Sequence, residues 1–83
     1  MSELTVAVIS PEQTVFEGTA VSVVAPAYDG EVGILPGHAP MLTLLGEGVL
    51  RIGDSVRVRV KGGFIQVADN VVRVVTEQAQ AIN

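Results

Sequence analysis

The stretch Ser55-Val56-Arg57-Val58-Arg59-Val60-Lys61 decides the fold class. It alternates apolar and polar residues without a fault. Side chains on an extended strand point to opposite faces in turn, so the pattern sets Val56, Val58 and Val60 against a core and the cations outward. The same reading extends to both sides. Leu4 to Ile9 is a strand with Leu4, Val6 and Val8 on one face. Ala20 to Pro26 reads as another, centred on Val21 and Val23, and Val49 to Ile52, Phe64 to Ala68 and Val71 to Thr76 complete the clear cases. Valine is the commonest residue, and its branched Cβ suits strands over helices.

Turn signals fall at Ser10-Pro11, Glu17-Gly18, Asp29-Gly30, Pro36-Gly37, Gly46-Glu47-Gly48, Gly53-Asp54, Gly62-Gly63 and Asp69-Asn70. Asx and Gly tolerate the positive φ of tight turns. Signals this closely spaced indicate a sandwich or barrel. The expectation is an all-β fold, a two-sheet β-sandwich or flattened barrel of about ten short strands, with residues 1–83 as one domain. Ser10-Pro11-Glu12-Gln13 has the form of a helix capping box, but no helical apolar stripe follows it, so it reads as a turn between strands. Glu77 to Asn83 has room for one helical turn at most.

Composition excludes several classes. The chain of 83 residues has no cysteine, which rules out disulfides and thiolate chemistry and fits a reducing compartment. The start, Met1-Ser2-Glu3-Leu4, is not a signal peptide. The longest charge-free run, Val32 to Gly46, is too short for a bilayer and is broken by Pro36, Gly37 and Pro40, so no direct membrane insertion is expected. The net charge is −4, and aromatics are limited to Phe16, Tyr28 and Phe64. A nucleic-acid groove needs a basic surface with stacking rings, so no nucleic-acid partner is expected. His38 is the only histidine, which removes the Ser-His-Asp and Cys-His arrangements and a two-histidine zinc site. Gly62-Gly63 follows Lys61 where a phosphate loop would precede it. The expectation is no catalytic, cofactor-binding or metal-binding residue.

Two stretches are apolar at both strand parities: Met41-Leu42-Thr43-Leu44-Leu45 and Val71-Val72-Arg73-Val74-Val75. Apolar residues on both faces imply that both faces are covered. The second cover is either another subunit or a local bend between sheets. The row Arg57, Arg59, Lys61 reads as a solvated face, with Glu3 or Glu17 as candidate cross-strand partners. The stretch from Tyr28 to Pro40 holds three glycines and two prolines. Its stiff backbone displays Glu31 on a tight turn, either for docking or only to carry the chain across the sandwich end.

Gly30-Glu31-Val32-Gly33-Ile34-Leu35-Pro36-Gly37-His38-Ala39-Pro40 resembles the hallmark loop of the ε subunits of F-type ATP synthases. Ser10-Pro11-Glu12, Phe16-Glu17-Gly18, Val24-Ala25-Pro26, Leu45 to Arg51, Gly62-Gly63-Phe64-Ile65-Gln66-Val67 and Val71 to Ala79 agree in order and spacing. The resemblance implies a ten-stranded N-terminal sandwich that binds the γ subunit of the central stalk and rests on the polar loops of the membrane c-ring. It implies a non-catalytic rotor subunit, coupling proton-driven rotation to ATP synthesis in the α/β head. The implied location is peripheral, at the cytoplasmic side of a bacterial inner membrane. Position by position, Glu31 resembles the residue facing the c-ring, Ser10, His38 and Thr43 resemble positions toward γ, and Leu42 with neighbours such as Met41 joins that surface.

The family's C-terminal helical hairpin, which restrains ATP hydrolysis in many bacterial members and binds ATP in some, has no counterpart up to Asn83. A short natural form and a longer chain cut after the sandwich both stay open. A carrier domain of the lipoyl or biotinyl type is the competing class, and would need the only lysine, Lys61, at an exposed hairpin tip. Lys61 instead closes an alternating strand.

Overall fold

The computed structural model describes residues 2–82. Eight strands are present: β1 (Leu4–Ile9), β2 (Thr14–Ala20), β3 (Val23–Ala27), β4 (Gly30–Ile34), β5 (Met41–Leu44), β6 (Glu47–Ile52), β7 (Val56–Ala68) and β8 (Val71–Ile82). They run in the hydrogen-bonded order β2-β1-β8-β7-β6-β3-β4, with β5 paired to β7. All pairs are antiparallel except β1 with β8.

The sandwich arises because β7 and β8 are long enough to serve both layers. The first half of β7 pairs with β6, and its second half pairs with β5. β8 follows it throughout, from Ala68↔Val71 to Arg57↔Ile82. One layer therefore holds β2, β1, the start of β8, the end of β7 and β5. The other holds the end of β8, the start of β7, β6, β3 and β4. Counting the halves of β7 and β8 separately recovers the ten segments expected from sequence. The two layers also touch at the bridge Ala27↔Leu45, but β2 and β4 remain free edges, so the sheet is not closed into a barrel.

The layers meet in one core: Leu4, Val6, Val8, Val72, Val74, Ile65 and Val67 from the first, and Val58, Val60, Leu50, Ile52, Val23, Ala25 and Ile34 from the second. Val58 and Val60 are buried between exposed cations, as alternation predicts. Across Gly62 and Gly63 the inward parity of β7 changes, from Val58 and Val60 to Ile65 and Val67. Both glycines have positive φ, 74° and 102°. A Cβ on Gly63 would lie 1.9 Å from the Val75 carbonyl oxygen. The Thr76 hydroxyl, buried opposite the bend, lies within reach of the carbonyls of Gly62 (2.9 Å), Gln78 (2.9 Å) and Lys61 (3.3 Å).

Several expectations are corrected. Gly62-Gly63 is a bend inside β7, not a turn between strands, and Glu17-Gly18 lies inside β2, where Gly18 leaves room for the Phe16 ring. Val21 is not a strand centre: the chain bends at Val21-Ser22, and Val21 is exposed. Residues 77–82 extend β8 where a helical turn at most was expected, because β7 supplies a pairing edge along their length; Asn83 lies outside the described residues. Glu3 and Glu17 do not flank the Arg57/Arg59/Lys61 row: Glu17 pairs with Ala7 in the other layer, Glu3 precedes β1, and the row faces β6. The Ser10–Gln13 segment is a turn, closed by the Ser10 N–H donating to the Gln13 carbonyl (2.9 Å).

Candidate functional site

The outer face of the β5-bearing layer carries an apolar row across four strands. Leu44 on β5 faces Phe64 on β7, Phe64 faces Val75 on β8, and Val75 faces Ile9 on β1. Strand alternation puts each of these opposite a buried neighbour, so the row is the reverse side of the core. Leu42 adds to it two residues along β5. Leu42 is 68% exposed and Leu44 62%. The next cross-strand row is mostly polar: Gln66, Arg73, Ala7 and Glu17. The apolar row is thus a band bordered on that side by Gln66, Arg73 and Glu17, with Val71, 48% exposed, beyond them on the same face.

Ser10 borders this band. With Ile9 and Pro11 it lines a shallow groove shared with Phe64, Val75 and Thr76. Its hydroxyl donates to the Gln13 carbonyl (3.1 Å) and so holds the β1–β2 turn against the groove. Thr43 lies with Leu42, Leu44 and Phe64 in a second shallow groove on the same layer. Met41 has the opposite parity to Leu42: it is half-buried against the core, and its remaining surface lines a groove with Pro40 and Gln66. His38 precedes β5 in the loop 35–40. Its backbone N–H donates to the Leu35 carbonyl (3.1 Å), and its Nδ1 donates to the Ala39 carbonyl (2.7 Å).

That loop is pinned from outside. The Gly37 N–H donates to Asn70 Oδ1 (2.7 Å). Asn70 occupies the two-residue β7–β8 turn with Asp69, both at positive φ (62° and 51°), the geometry of a type I′ hairpin. Its carbonyl also accepts from the Thr5 N–H (2.8 Å). One asparagine therefore joins β1, the β7–β8 turn and the loop leading into β5.

Glu31 sits in the other layer. It is the second residue of β4, just past the two-residue turn Tyr28-Asp29, and not on the turn itself. Of the stretch from Tyr28 to Pro40, Gly30–Ile34 is correspondingly strand. Glu31 is exposed and reaches across β3 to Arg51, 3.6 Å away. An ion pair this exposed contributes only about 0–1 kcal/mol, and its carboxylate remains accessible. Lys61 lies in the middle of β7 and not at a hairpin tip, which removes the geometry a carrier domain needs.

The structure makes Leu42 part of one band, brings Ser10 to its border, sets Met41 and Thr43 on the opposite parity of β5 and leaves Glu31 on the other layer. Sequence reading overlooked Ile9 and Phe64 as members. Ile9 has the parity opposite to Val6 and Val8, which was visible. That it lines up with Val75 and Phe64 depends on the parallel β1–β8 register, which no local pattern encodes. No helix in the described residues is long and apolar enough to cross a membrane.

Residues 3–82 match the family model of the ATP synthase delta/epsilon chain β-sandwich domain. The ATP synthase epsilon chain of Leptospira borgpetersenii serovar Hardjo-bovis (strain JB197) is 46% identical over 78 residues, covering 90% of this chain and 61% of that protein. The epsilon chain of Synechococcus sp. (strain JA-2-3B'a(2-13)) is 42% identical over 80 residues, covering 93% and 58%. The chain therefore spans about three fifths of the length of these curated relatives. A chain in the Euglena gracilis mitochondrial ATP synthase OSCP/F1/c-ring assembly shares the fold with a TM-score of 0.87 at 21% identity, over 98% of this chain and 54% of that one. This chain belongs to the ATP synthase delta/epsilon family, of which it presents the β-sandwich domain.

Proposed function

We propose that this sandwich is the non-catalytic rotor element that joins the central-stalk γ subunit to the membrane c-ring of a proton-translocating F-type ATP synthase, so that ring rotation is coupled to ATP synthesis in the α/β head. The observation that carries the reading is the apolar band Ile9, Leu42, Leu44, Phe64 and Val75. A contiguous apolar strip with a polar rim is what a subunit contact requires. In this reading the band docks on γ, with Ser10, His38, Met41 and Thr43 around it. Family membership supports this choice of partners, and a chain of the same fold sits in a Euglena assembly of OSCP, F1 and a c-ring. The exposed β3–β4 hairpin end, with Tyr28, Asp29 and Glu31, meets the polar loops of the ring. Attachment to the membrane is peripheral, on the cytoplasmic side of a bacterial inner membrane.

Two experiments separate the halves of the proposal. Purified chain mixed with γ at micromolar concentration is expected to co-elute on size exclusion, and Leu42→Asp with Leu44→Asp is expected to abolish co-elution without unfolding the domain. Failure of the native chain to co-elute removes the γ assignment. Glu31→Cys in assembled, coupled enzyme is expected to crosslink to subunit c. An active complex that yields no such crosslink removes the ring assignment and leaves the γ face standing.

A further inference from the structure

Four of the chain's five basic residues lie on the outer face of the layer that does not carry the apolar band. Arg51 on β6 stands directly opposite Arg57 on β7, Arg59 faces Val49, and Lys61 faces Glu47. On the other side of β7, Arg59 faces Gln80 and Lys61 faces Gln78. Among the described residues the Arg51–Glu31 pair is the one ion pair within 4.0 Å, so Arg57, Arg59 and Lys61 have no carboxylate at contact distance. Like charges directly opposite on an antiparallel ladder are destabilising. A chain of net charge −4 with nine acidic side chains nevertheless gathers four of its five cations on one face.

We infer that the Arg57-Arg59-Lys61 strip, flanked by Gln78 and Gln80, docks a carboxylate-rich segment of a protein partner. Guanidinium forks accept carboxylates in bidentate geometry, and two arginines on alternate residues of one strand present two such forks in a line. The Gln78 and Gln80 amides add donors in register beside Lys61 and Arg59. A shallow groove runs there, lined by Glu47, Arg59, Lys61, Gln78 and Gln80. Glu31 and Glu47 lie toward opposite borders of the basic face, one against Arg51 and one facing Lys61. A narrow acidic segment fits between them, whereas a flat anionic bilayer would have to approach both carboxylates. The strip shares no residue with the apolar band, so the inference does not depend on the rotor reading.

The test is a titration of the isotopically labelled chain with a short poly-glutamate peptide at low salt, read by amide chemical shifts. Shifts are expected at Arg57, Arg59, Lys61, Gln78 and Gln80, and binding is expected to fade on raising the salt. Arg57→Glu with Arg59→Glu is expected to weaken binding at least about tenfold, while Arg73→Glu, on the other layer, leaves it unchanged. Far-UV circular dichroism controls for folding, and Arg57→Gln with Arg59→Gln replaces the reversal if that variant unfolds. No binding, shifts scattered over both layers, or equal loss with Arg73→Glu overturns the inference. So does attachment to phosphatidylserine vesicles without peptide binding, which identifies a lipid surface as the occupant.

Discussion

Replacing Gly63 by alanine tests whether the bend in β7 is what allows two layers to form from one sheet. Three terms add at this position. An L-residue at positive φ costs about 1–2 kcal/mol, and at 102° Gly63 lies beyond even the usual left-handed well. The new Cβ would meet the Val75 carbonyl oxygen at 1.9 Å and the Thr76 Cα at 2.7 Å. Both obstacles are backbone of the paired strand, so β7 and β8 must part by about 1 Å, which a close-packed interior resists. Parting also disturbs the Leu45 N–H donation to the Gly63 carbonyl (3.0 Å). A loss of about 3 kcal/mol or more follows, against the roughly 3–5 kcal/mol that a core of this size supplies.

Gly62 and Gly33 supply the gradation. At Gly62 the new Cβ meets the flexible Glu77 carboxylate at 2.6 Å, so the cost is mainly that of positive φ, about 1–2 kcal/mol. At Gly33 nothing lies within 4 Å, and alanine is expected to change stability by less than about 0.5 kcal/mol. Urea denaturation followed by far-UV circular dichroism measures all three, since the chain has no tryptophan. The order of loss is Gly63, then Gly62, then Gly33. A Gly63→Ala protein that loses less than about 1 kcal/mol refutes the account of the bend.

Three other substitutions probe separate terms. Thr76→Val removes the hydroxyl of a residue that is 2% exposed, a group that can donate to only one of its three carbonyl neighbours at a time; a loss of about 1–2 kcal/mol in the same denaturation assay is expected. Leu50→Ala deletes a fully buried side chain at the centre of the second layer and is expected to cost about 2–5 kcal/mol, lowering the thermal midpoint accordingly. Asn70→Gly keeps the left-handed turn but deletes the acceptor for the Gly37 N–H; the expected loss is about 1 kcal/mol, with faster amide exchange at Gly37 than at the neighbouring β8 amides.

The sequence was most legible where parity alone decides burial. Leu4, Val6 and Val8 on β1 and Val58 and Val60 on β7 are buried as alternation requires. It was least legible at glycine. Gly18, Gly62 and Gly63 carry the same local signal as a turn, but the first makes room for a ring and the other two re-aim a strand that continues. The difference lies in which backbone runs alongside, and that is a property of the pairing. Residues 77–82 show the same effect: Glu77-Gln78-Ala79-Gln80 has no strand alternation, yet β7 pairs with every residue from Gln78 to Ile82. For the candidate site, the doubled parity of Met41 to Leu45 exposed Leu42 to notice. Phe64 and Ile9 joined it only through two long-range registers, one of them parallel.

A part that transmits load between two neighbours must join its two docking faces by elements that do not slide. The β7–β8 ladder runs through both layers with a gap only at Gly62 and Glu77, so relative motion of the layers would have to shear backbone hydrogen bonds and not merely repack side chains. A second tie lies close to the proposed contacts. The Tyr28 N–H donates to the Leu44 carbonyl (3.1 Å), and the Gly46 N–H donates to the Pro26 carbonyl (2.8 Å). Pro26 pairs with Glu31, and Leu44 belongs to the apolar band. The path from the proposed ring contact to the proposed γ contact therefore crosses from one layer to the other through backbone, and the valine-rich core behind it is close-packed in β-branched side chains with little rotamer freedom. Stiffness between the two faces follows from the topology, and no catalytic group is required for it.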